Sequence, residues 1–413
     1  MASRVTIRQC AILAGGRATR LGTLAADTPK PLLACGDRPF LAWLMREFCR
    51  FGVEEFLLLA GHLADRLEAA LPALAAHLPR PAKITISAEP MAAGTGGALY
   101  HAREKLDPHF LLCNGDSWFD ANLARFLAAG AAAPDGTLGQ LLLRPAPPGG
   151  RFGIVETRVG RVTAFRARPA VGEAAEAGMI NAGIYRFDRR VLDALAPVCS
   201  LESDVLPALA ARGALGAHDG GAGYFIDIGI PEDYARGAAE LPARCRRRAL
   251  FLDRDGVLNR DHGYVGTRER FEWMAGARAA IAAATDRGFH VFIVTNQSGI
   301  ARGFYTEDDL RSLHAWIAED VRAAGGTIDD WRYCPDHPEA LLPAYRRASD
   351  WRKPAPGMLL DLMACWQVDP ARALMVGDQE SDMRAAAAAG IAGQLFSGGN
   401  IAEFLVPLLQ RMA

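Results

Sequence analysis

Short, nearly unbroken apolar runs recur along the chain, and most end in a polar loop containing Gly or Asp. Ile7–Leu13 leads into AGGRATRLG, EEFLLLAG and KITISAE are strand-like, and FLLCNGDSWFD is a strand ending in a polar turn. FLAWLMREFCRFG between them has the apolar spacing of a helix. The alternation restarts in ALFLDRDGVLN, FHVFIVTNQSG and ARALMVGDQESD. Strands alternating with helices predict an α/β protein with Rossmann-like sheets, the first mixed and mainly parallel, and ligands at the carboxyl ends of strands. GAAELPARCRRR interrupts the pattern with a Pro and a basic run, which reads as a solvated linker. The expected domains are therefore 1–240 and 248–413, joined by 241–247.

Composition narrows the function classes. Hydrophobic residues make up 50% and charged residues 23% of 413 residues, the balance of a globular protein with ample core. A net charge of −1 argues against a broad electrostatic surface for nucleic acid or membrane, so neither is expected as a partner. Phosphorylated small molecules remain, because they need only a local basic site. The N-terminal apolar stretch is too short for a signal peptide, and no run reaches the ~20 apolar residues of a membrane span. The eight cysteines form no closely spaced pair, which favours a reducing cytoplasm. A homo-oligomer is left open.

The first half offers phosphate chemistry in LAGGRATRLGTLAADTPKPLLACGDRPF. Gly15 and Gly16 follow a strand, so backbone N–H groups can close on a phosphate chain without side-chain obstruction. Arg20 and Lys30 add positive charge, and Pro29 and Pro31 stiffen the backbone around Lys30. This string resembles the sugar-1-phosphate nucleotidyltransferases, whose pattern is GGxGTRL followed by PKP. EPMAAGTGGAL, with Gly94 and Thr95, resembles the family's glycine loop near the nucleobase, and CNGDSWFD resembles its NGD turn. GRFGIVE, NAGIYRFD and LESDVLP resemble the sugar-facing and acidic segments, and YFIDIGIPEDY the closing motif. The resemblance covers about residues 5–240. It implies that Asp116 and Asp227 hold Mg²⁺, that Arg20 and Lys30 neutralise phosphate charge, and that Asn181, Glu202 and Arg168 meet the sugar phosphate. A sugar 1-phosphate oxygen would attack the α-phosphorus of a nucleoside triphosphate and release pyrophosphate. Two positions depart from the family: its loop Gly is Ala18, mild if that φ is negative, and its Glu-Lys pair is Ala167-Arg168, which removes the carboxylate that would bind sugar hydroxyls.

The second half carries DRDGVLN, VTNQSG, RKPAPGM and VGDQESD in order. Together they resemble the haloacid dehalogenase superfamily of phosphatases over about residues 248–400. The resemblance implies Asp253 as nucleophile, Asp255 as general acid and base, and Thr295 and Lys353 as partners of the phosphoryl group. Mg²⁺ would be held by Asp378, the Asp253 carboxylate and the Asp255 backbone carbonyl. Asp382 is either support for this site or a helix cap. DRDGVLNRDHGYV, VTNQSGIARGFYT and YCPDHPEA are closer still to D-glycero-D-manno-heptose 1,7-bisphosphate phosphatases, with histidinol-phosphate phosphatases as near relatives. That likeness suggests substrate contacts for Asn259, Asn296, Ser298 and Arg352. Many relatives bind a structural zinc through four Cys or His, whereas Cys334, Asp336, Ser349 and Trp351 stand at those positions. No zinc is expected; His337 reads as an ordinary loop histidine, and the loop should be held by packing through Trp351.

The two resemblances fit consecutive steps. A heptose bisphosphate phosphatase removes the 7-phosphate, and the first half looks most like heptose 1-phosphate guanylyltransferases, so heptose phosphates and a nucleoside triphosphate, GTP first, are the expected ligands. The phosphatase half would then prefer the α anomer. The alternatives are the same two chemistries on another sugar or nucleotide, a histidinol-phosphate phosphatase, or a first half that binds nucleotide without catalysis.

Overall fold

A computed structural model describes residues 6–147, 152–167 and 177–412. The chain divides into two units, one ending at Cys245 and the other beginning at Arg246. Of the stretch expected as linker, residues 241–245 are the end of the helix Pro231–Cys245, and Leu241 is fully buried. The basic run alone misleads there: Arg244 lies over the Tyr224 ring within the first unit, 3.9 Å from its centroid.

The strands of the first unit are β1 (Gln9–Leu13), β2 (Ala34–Cys35), β3 (Arg38–Pro39), β4 (Glu55–Ala60), β5 (Lys83–Ala88), β6 (His109–Asn114), β7 (Ser117–Phe119), β8 (Gly139–Pro145), β9 (Ile154–Arg158), β10 (Arg161–Arg166), β11 (Met179–Asp188), β12 (Leu215–Asp219) and β13 (Phe225–Asp227). Nine of them form a mixed sheet in the order β5-β4-β1-β6-β11-β8-β12-β10-β9. The portion β5-β4-β1-β6 is parallel. β11 then runs antiparallel to both β6 and β8. β1, β4 and β6 are almost wholly buried, as central strands covered on both faces must be, and their continuous apolar sequences reflect this. The β9–β10 hairpin turns through Val159 and Gly160, both with positive φ (50° and 69°), the geometry a two-residue turn needs to match strand twist.

The second unit holds β14 (Ala249–Leu252), β15 (His290–Asn296), β16 (Asp330–Cys334), β17 (Ala373–Gly377) and β18 (Ala392–Leu395) in a fully parallel sheet, ordered β16-β15-β14-β17-β18. The first strand of the unit lies at the centre, flanked by the second and the fourth. The chain thus leaves β14 to one side and later returns on the other, which opens a crevice at its carboxyl end. Each unit has its own apolar core: Leu112, Leu141 and Tyr185 lie in one, and Leu252, Ile293 and Val376 in the other. No helix among the described residues is long and apolar enough to cross a membrane.

Candidate active sites

In the first unit the register of β1 and β6 pairs Leu13 with Asn114, so the loops after both strands emerge side by side. Gly115 N–H donates to Leu13 O at 2.9 Å, and a Cβ on Gly115 would stand 2.5 Å from that oxygen, so only glycine fits. The turn carries Asp116. β13 pairs with β7 so that Asp227 faces Ser117, which brings the second carboxylate to the first. Lys30 Nζ lies between them, bonded to Asp116 Oδ2 and 3.6 Å from Asp227 Oδ1. A Cβ on Gly229 would stand 3.0 Å from Lys30 Nζ and 3.3 Å from Arg20 Nη2, so the Arg20 guanidinium joins the same cluster. Two carboxylates converging on an ammonium form a hard-oxygen donor set already occupied by one cation. That chemistry fits Mg²⁺ at Asp116 and Asp227.

The remaining groups surround this cluster. Gly15 passes so close to the β4 loop that a Cβ would lie 2.8 Å from Gly61 N, whereas Gly16 faces open space. Gly94 has φ +76°, and a Cβ there would meet Cys199 O at 2.6 Å. Thr95 donates its hydroxyl to Glu202 Oε2 at 2.6 Å, so a residue expected at the nucleotide and one expected at the sugar are in direct contact. A cavity of about 530 Å³ is lined by Asn181, Glu202, Asp227, Arg166 and Ala167, among others. Asn181 donates to the buried Tyr185 hydroxyl at 2.7 Å and accepts from Gly183 N at 3.0 Å. Ala167 faces this cavity with only a methyl group, and Arg166 beside it pairs with Glu156 at 2.8 Å. Arg168 lies outside the described residues. Ala18 has φ +50°, so the condition for a mild Gly-to-Ala change is not met: the residue sits in the left-handed region, at a cost of about 1–2 kcal/mol. Glu89, unread in the sequence, accepts from Ala93 N at 3.2 Å beside Gly61, and burial raises its carboxyl above the usual range.

In the second unit Asp253 follows β14 directly. Its Oδ1 accepts from Arg254 N at 2.7 Å and its Oδ2 lies 2.9 Å from Lys353 Nζ. Lys353 Nζ also reaches Asp382 Oδ1 at 2.6 Å and Val294 O at 3.0 Å. Burial opposes the lysine charge, but Asp253 and Asp382 hold its pKa above the ordinary value. Burial pushes the Asp253 carboxyl up to about 7 despite the lysine. Asp378 is raised too, chiefly by burial, and its Oδ1 is buried with no hydrogen-bond partner. Gly256, at φ +84°, makes room for it: a Cβ would stand 2.2 Å from Asp378 Oδ2. Carboxylate oxygens of Asp253, Asp378 and Asp382 lie within 4.8 Å of one another. The raised Asp253 and Asp378 carboxyls, with an unpartnered oxygen on Asp378, fit a hard divalent cation. Asp382 serves both roles left open by the sequence, since it pairs with Lys353 and caps the helix Glu380–Ala388 by accepting from Gln379 N at 3.0 Å.

The residues expected at the phosphatase substrate have partners within the protein. Asn296 grips the Lys353 backbone, donating to its carbonyl and accepting from its N–H, both at 3.1 Å. Asn259 is fully buried and donates to Asp255 Oδ1 at 2.9 Å. Asn259 thus holds the Asp255 side chain, and the half-buried Asn296 the Lys353 backbone. Ser298 opens the short helix Ser298–Ala301, and Arg352 is half-buried with Nη1 3.3 Å from Asp336 O. Thr295 is buried at the end of β15 and accepts from Gln297 Nε2 at 2.8 Å. Asp255 is held by Arg254, a fully buried guanidinium that was unread although it stands inside the DRDG motif. Trp351 is 38% exposed, with the Arg332 guanidinium 6.0 Å from its ring centroid and Gly357 against its edge. Arg347 Nε also pairs with the buried Asp336 at 2.9 Å, and His337 Nδ1 accepts from Glu339 N at 3.0 Å.

Two carboxylate–lysine clusters, each at strand ends of a Rossmann-like unit, define an enzyme with two phosphoryl-handling centres. The nucleotidyl transferase family model matches residues 10–244, and a HAD-hydrolase-like model matches residues 350–403. D-glycero-beta-D-manno-heptose-1,7-bisphosphate 7-phosphatase of Rhodopseudomonas palustris is 52% identical over 167 residues, covering 40% of this chain and 93% of the relative. D-glycero-alpha-D-manno-heptose-1,7-bisphosphate 7-phosphatase of Burkholderia mallei is 44% identical over 146 residues, covering 35% and 77%. Among solved structures, HddC from Yersinia pseudotuberculosis is 28% identical with a TM-score of 0.49, covering 57% of this chain and 100% of that one. The chain belongs to the nucleotidyl transferase family through its first unit and to the heptose-1,7-bisphosphate 7-phosphatase family through its second. It is a bifunctional nucleotidyltransferase and phosphatase.

Proposed function

We propose that the second unit hydrolyses the 7-phosphate of D-glycero-D-manno-heptose 1,7-bisphosphate. The first unit then transfers a nucleotidyl group, GMP from GTP, to the heptose 1-phosphate so formed. The observation that carries the phosphatase reading is the Asp253–Lys353 pair at the crevice of β14, with Thr295 and Asp378 on the flanking strand ends. The heptose assignment rests on the 52% identity over nearly the whole length of a heptose bisphosphate phosphatase.

Asp253 attacks phosphorus and forms an aspartyl-phosphate, while Asp255 gives a proton to the departing sugar oxygen. Asp255 then takes a proton from water, which attacks the same phosphorus, releases inorganic phosphate and restores Asp253. Lys353 and Thr295 meet the charge on the transferring group. Mg²⁺, held by Asp253, Asp378 and the Asp255 carbonyl, would mask phosphate charge that otherwise repels a carboxylate nucleophile. In the first unit the sugar phosphate oxygen attacks the α-phosphorus and pyrophosphate leaves, with Arg20 and Lys30 offsetting charge and Mg²⁺ at Asp116 and Asp227. The sugar occupies the cavity lined by Asn181 and Glu202. No zinc enters this reading: Cys334 is the one soft donor among the four positions, and the Asp336 carboxylate is engaged by Arg347.

The test is incubation with either anomer of heptose 1,7-bisphosphate, Mg²⁺ and each nucleoside triphosphate in turn, with detection of phosphate and nucleotide-sugar. GDP-heptose formation is expected with GTP. Failure to release phosphate from either anomer would overturn the heptose assignment, and product with another nucleotide alone would overturn the guanine assignment.

A further inference from the structure

The carboxylate of Asp255 is held from several directions. Oδ1 accepts from Arg254 Nη2 at 2.9 Å and from Asn259 Nδ2 at 2.9 Å. Oδ2 accepts from Arg254 Nη2 at 2.8 Å and from Gln297 Nε2 at 2.9 Å. Arg254 and Asn259 lie close to Asp255 in sequence, but Gln297 comes from the loop after β15 and differs in kind. The same amide nitrogen that donates to Asp255 also donates to Thr295 Oγ1 at 2.8 Å. The amide oxygen accepts from the Tyr305 hydroxyl at 2.6 Å. All the polar atoms of this side chain are therefore engaged, and the orientation is not free. Rotating the amide by 180° would set its oxygen against a carboxylate and turn its NH₂ toward the Tyr305 hydroxyl.

Tyr305 is itself fixed. Gly266 and Gly299 lie against its ring so closely that a Cβ on either would come within 2.1 Å and 2.3 Å of ring atoms. Gln297 N donates to Cys334 O at 2.8 Å, which anchors the loop backbone to the end of β16. Because Thr295 Oγ1 accepts from Gln297, its own O–H is turned away from that amide and left to donate toward the strand-end crevice. One buried amide thus sets the direction of two groups: the hydroxyl that meets the phosphoryl group and the carboxyl that exchanges the proton.

We propose that Gln297, oriented by Tyr305, is a positioning residue that aligns Asp255 for proton transfer to the sugar leaving group and Thr295 for contact with the phosphoryl group. This rests on the assignment of Asp255 as general acid and base. If it is right, loss of Gln297 should matter in proportion to how badly the leaving group needs a proton. A sugar alkoxide needs one; p-nitrophenolate does not.

The experiment compares Gln297→Ala, Tyr305→Phe and Asp255→Asn in the full-length chain with Mg²⁺, using heptose bisphosphate and p-nitrophenyl phosphate. For Gln297→Ala, kcat on the sugar phosphate should fall at least tenfold with KM within about twofold of the parent. The pre-steady-state burst of p-nitrophenolate should slow by no more than about threefold, because that substrate loses only the Thr295 alignment and needs no proton. Tyr305→Phe, which retains the ring between its glycines, should show the same pattern at smaller size. Parallel loss of the burst and of sugar-phosphate turnover would mean a merely structural role and overturn the proposal, as would unchanged turnover of both substrates. Should Asp255→Asn hydrolyse the sugar phosphate normally, the acid–base assignment fails first. If Asp255→Asn is inactive on the sugar phosphate while the Gln297 and Tyr305 variants behave as the parent, only the positioning role fails.

Discussion

Each unit sets a lysine between two carboxylates, but at different depths. Lys30 and its partners Asp116 and Asp227 have side-chain exposures of 11%, 31% and 21%. For Lys353, Asp253 and Asp382 the values are 3%, 11% and 0%. The first cluster opens beside a cavity of about 530 Å³. The second is assembled from strand ends and shielded before any substrate arrives. Transfer of a nucleotidyl group is mainly positioning and charge neutralisation on the substrates themselves, so its residues can remain partly hydrated. A covalent aspartyl-phosphate needs a nucleophile whose place is fixed, and the buried triad provides it.

The strongest way to break this comparison is through activity. Asp253→Asn should lower phosphate release on the order of 10⁴-fold or more and leave pyrophosphate release intact. Asp116→Ala or Asp227→Ala should do the reverse. Paired phosphate and pyrophosphate assays decide, and a joint fall in both would show that the centres are not independent. Next in size is the structural effect of depth. Lys353→Ala leaves two buried carboxylates without their cation and should cost about 3–5 kcal/mol in denaturant unfolding, and Lys30→Ala, whose carboxylate partners keep more contact with water, should cost less. Equal costs would remove the distinction between the sites.

Titration gives a smaller and more specific test. A carboxyl whose folded pKa lies above its unfolded value of 3.8 costs stability only when ionised, so the cost of Asp253 grows as pH rises from about 4 toward 7. Without divalent cation, Asp253→Asn should therefore raise Tm by a few degrees at pH 8, with the gain shrinking toward pH 4. A gain independent of pH would refute the burial argument. The smallest effect is Ala18→Gly. Relief of the left-handed alanine favours the folded state by about 1–2 kcal/mol, partly offset by the greater freedom of glycine when unfolded, so a rise in Tm of no more than a few degrees is expected.

Both the strand ends and the four-part phosphatase motif were legible because they are local: an apolar run followed by Asp or Gly has one reading in a parallel sheet. Asp253 and Asp378 directly follow β14 and β17 and Asp116 lies two residues beyond β6, whereas Asp227 ends β13 of the antiparallel β13–β7 pair. What the sequence could not convey was which polar atom each side chain would meet. Asn296 carries the chemistry of a substrate contact, yet it clasps the Lys353 backbone from the next strand. Gln297 stands inside a motif and is silent there, because its partner Asp255 becomes adjacent only when the loops after β14 and β15 pack together; Arg254 neighbours Asp255 in sequence, and only the fold buries its guanidinium. Ala18 shows the same limit for the backbone: nothing in a one-letter code reveals the sign of φ. The basic run after Leu241 misled because charge alone does not end a helix.

The groups of the second centre come from Asp253, Thr295, Lys353 and Asp378, contributed by loops that meet only at the carboxyl edge of one sheet. An unfolded chain has no comparable arrangement, so whatever occupies the crevice binds the native state and not its competitor. On the proposed function, inorganic phosphate and a divalent cation would therefore act as mass-action stabilisers as well as reaction participants, and a ligand at a hundred times its dissociation constant contributes about 2.7 kcal/mol. Turnover and lifetime are thus linked: a phosphatase at work is also one harder to unfold.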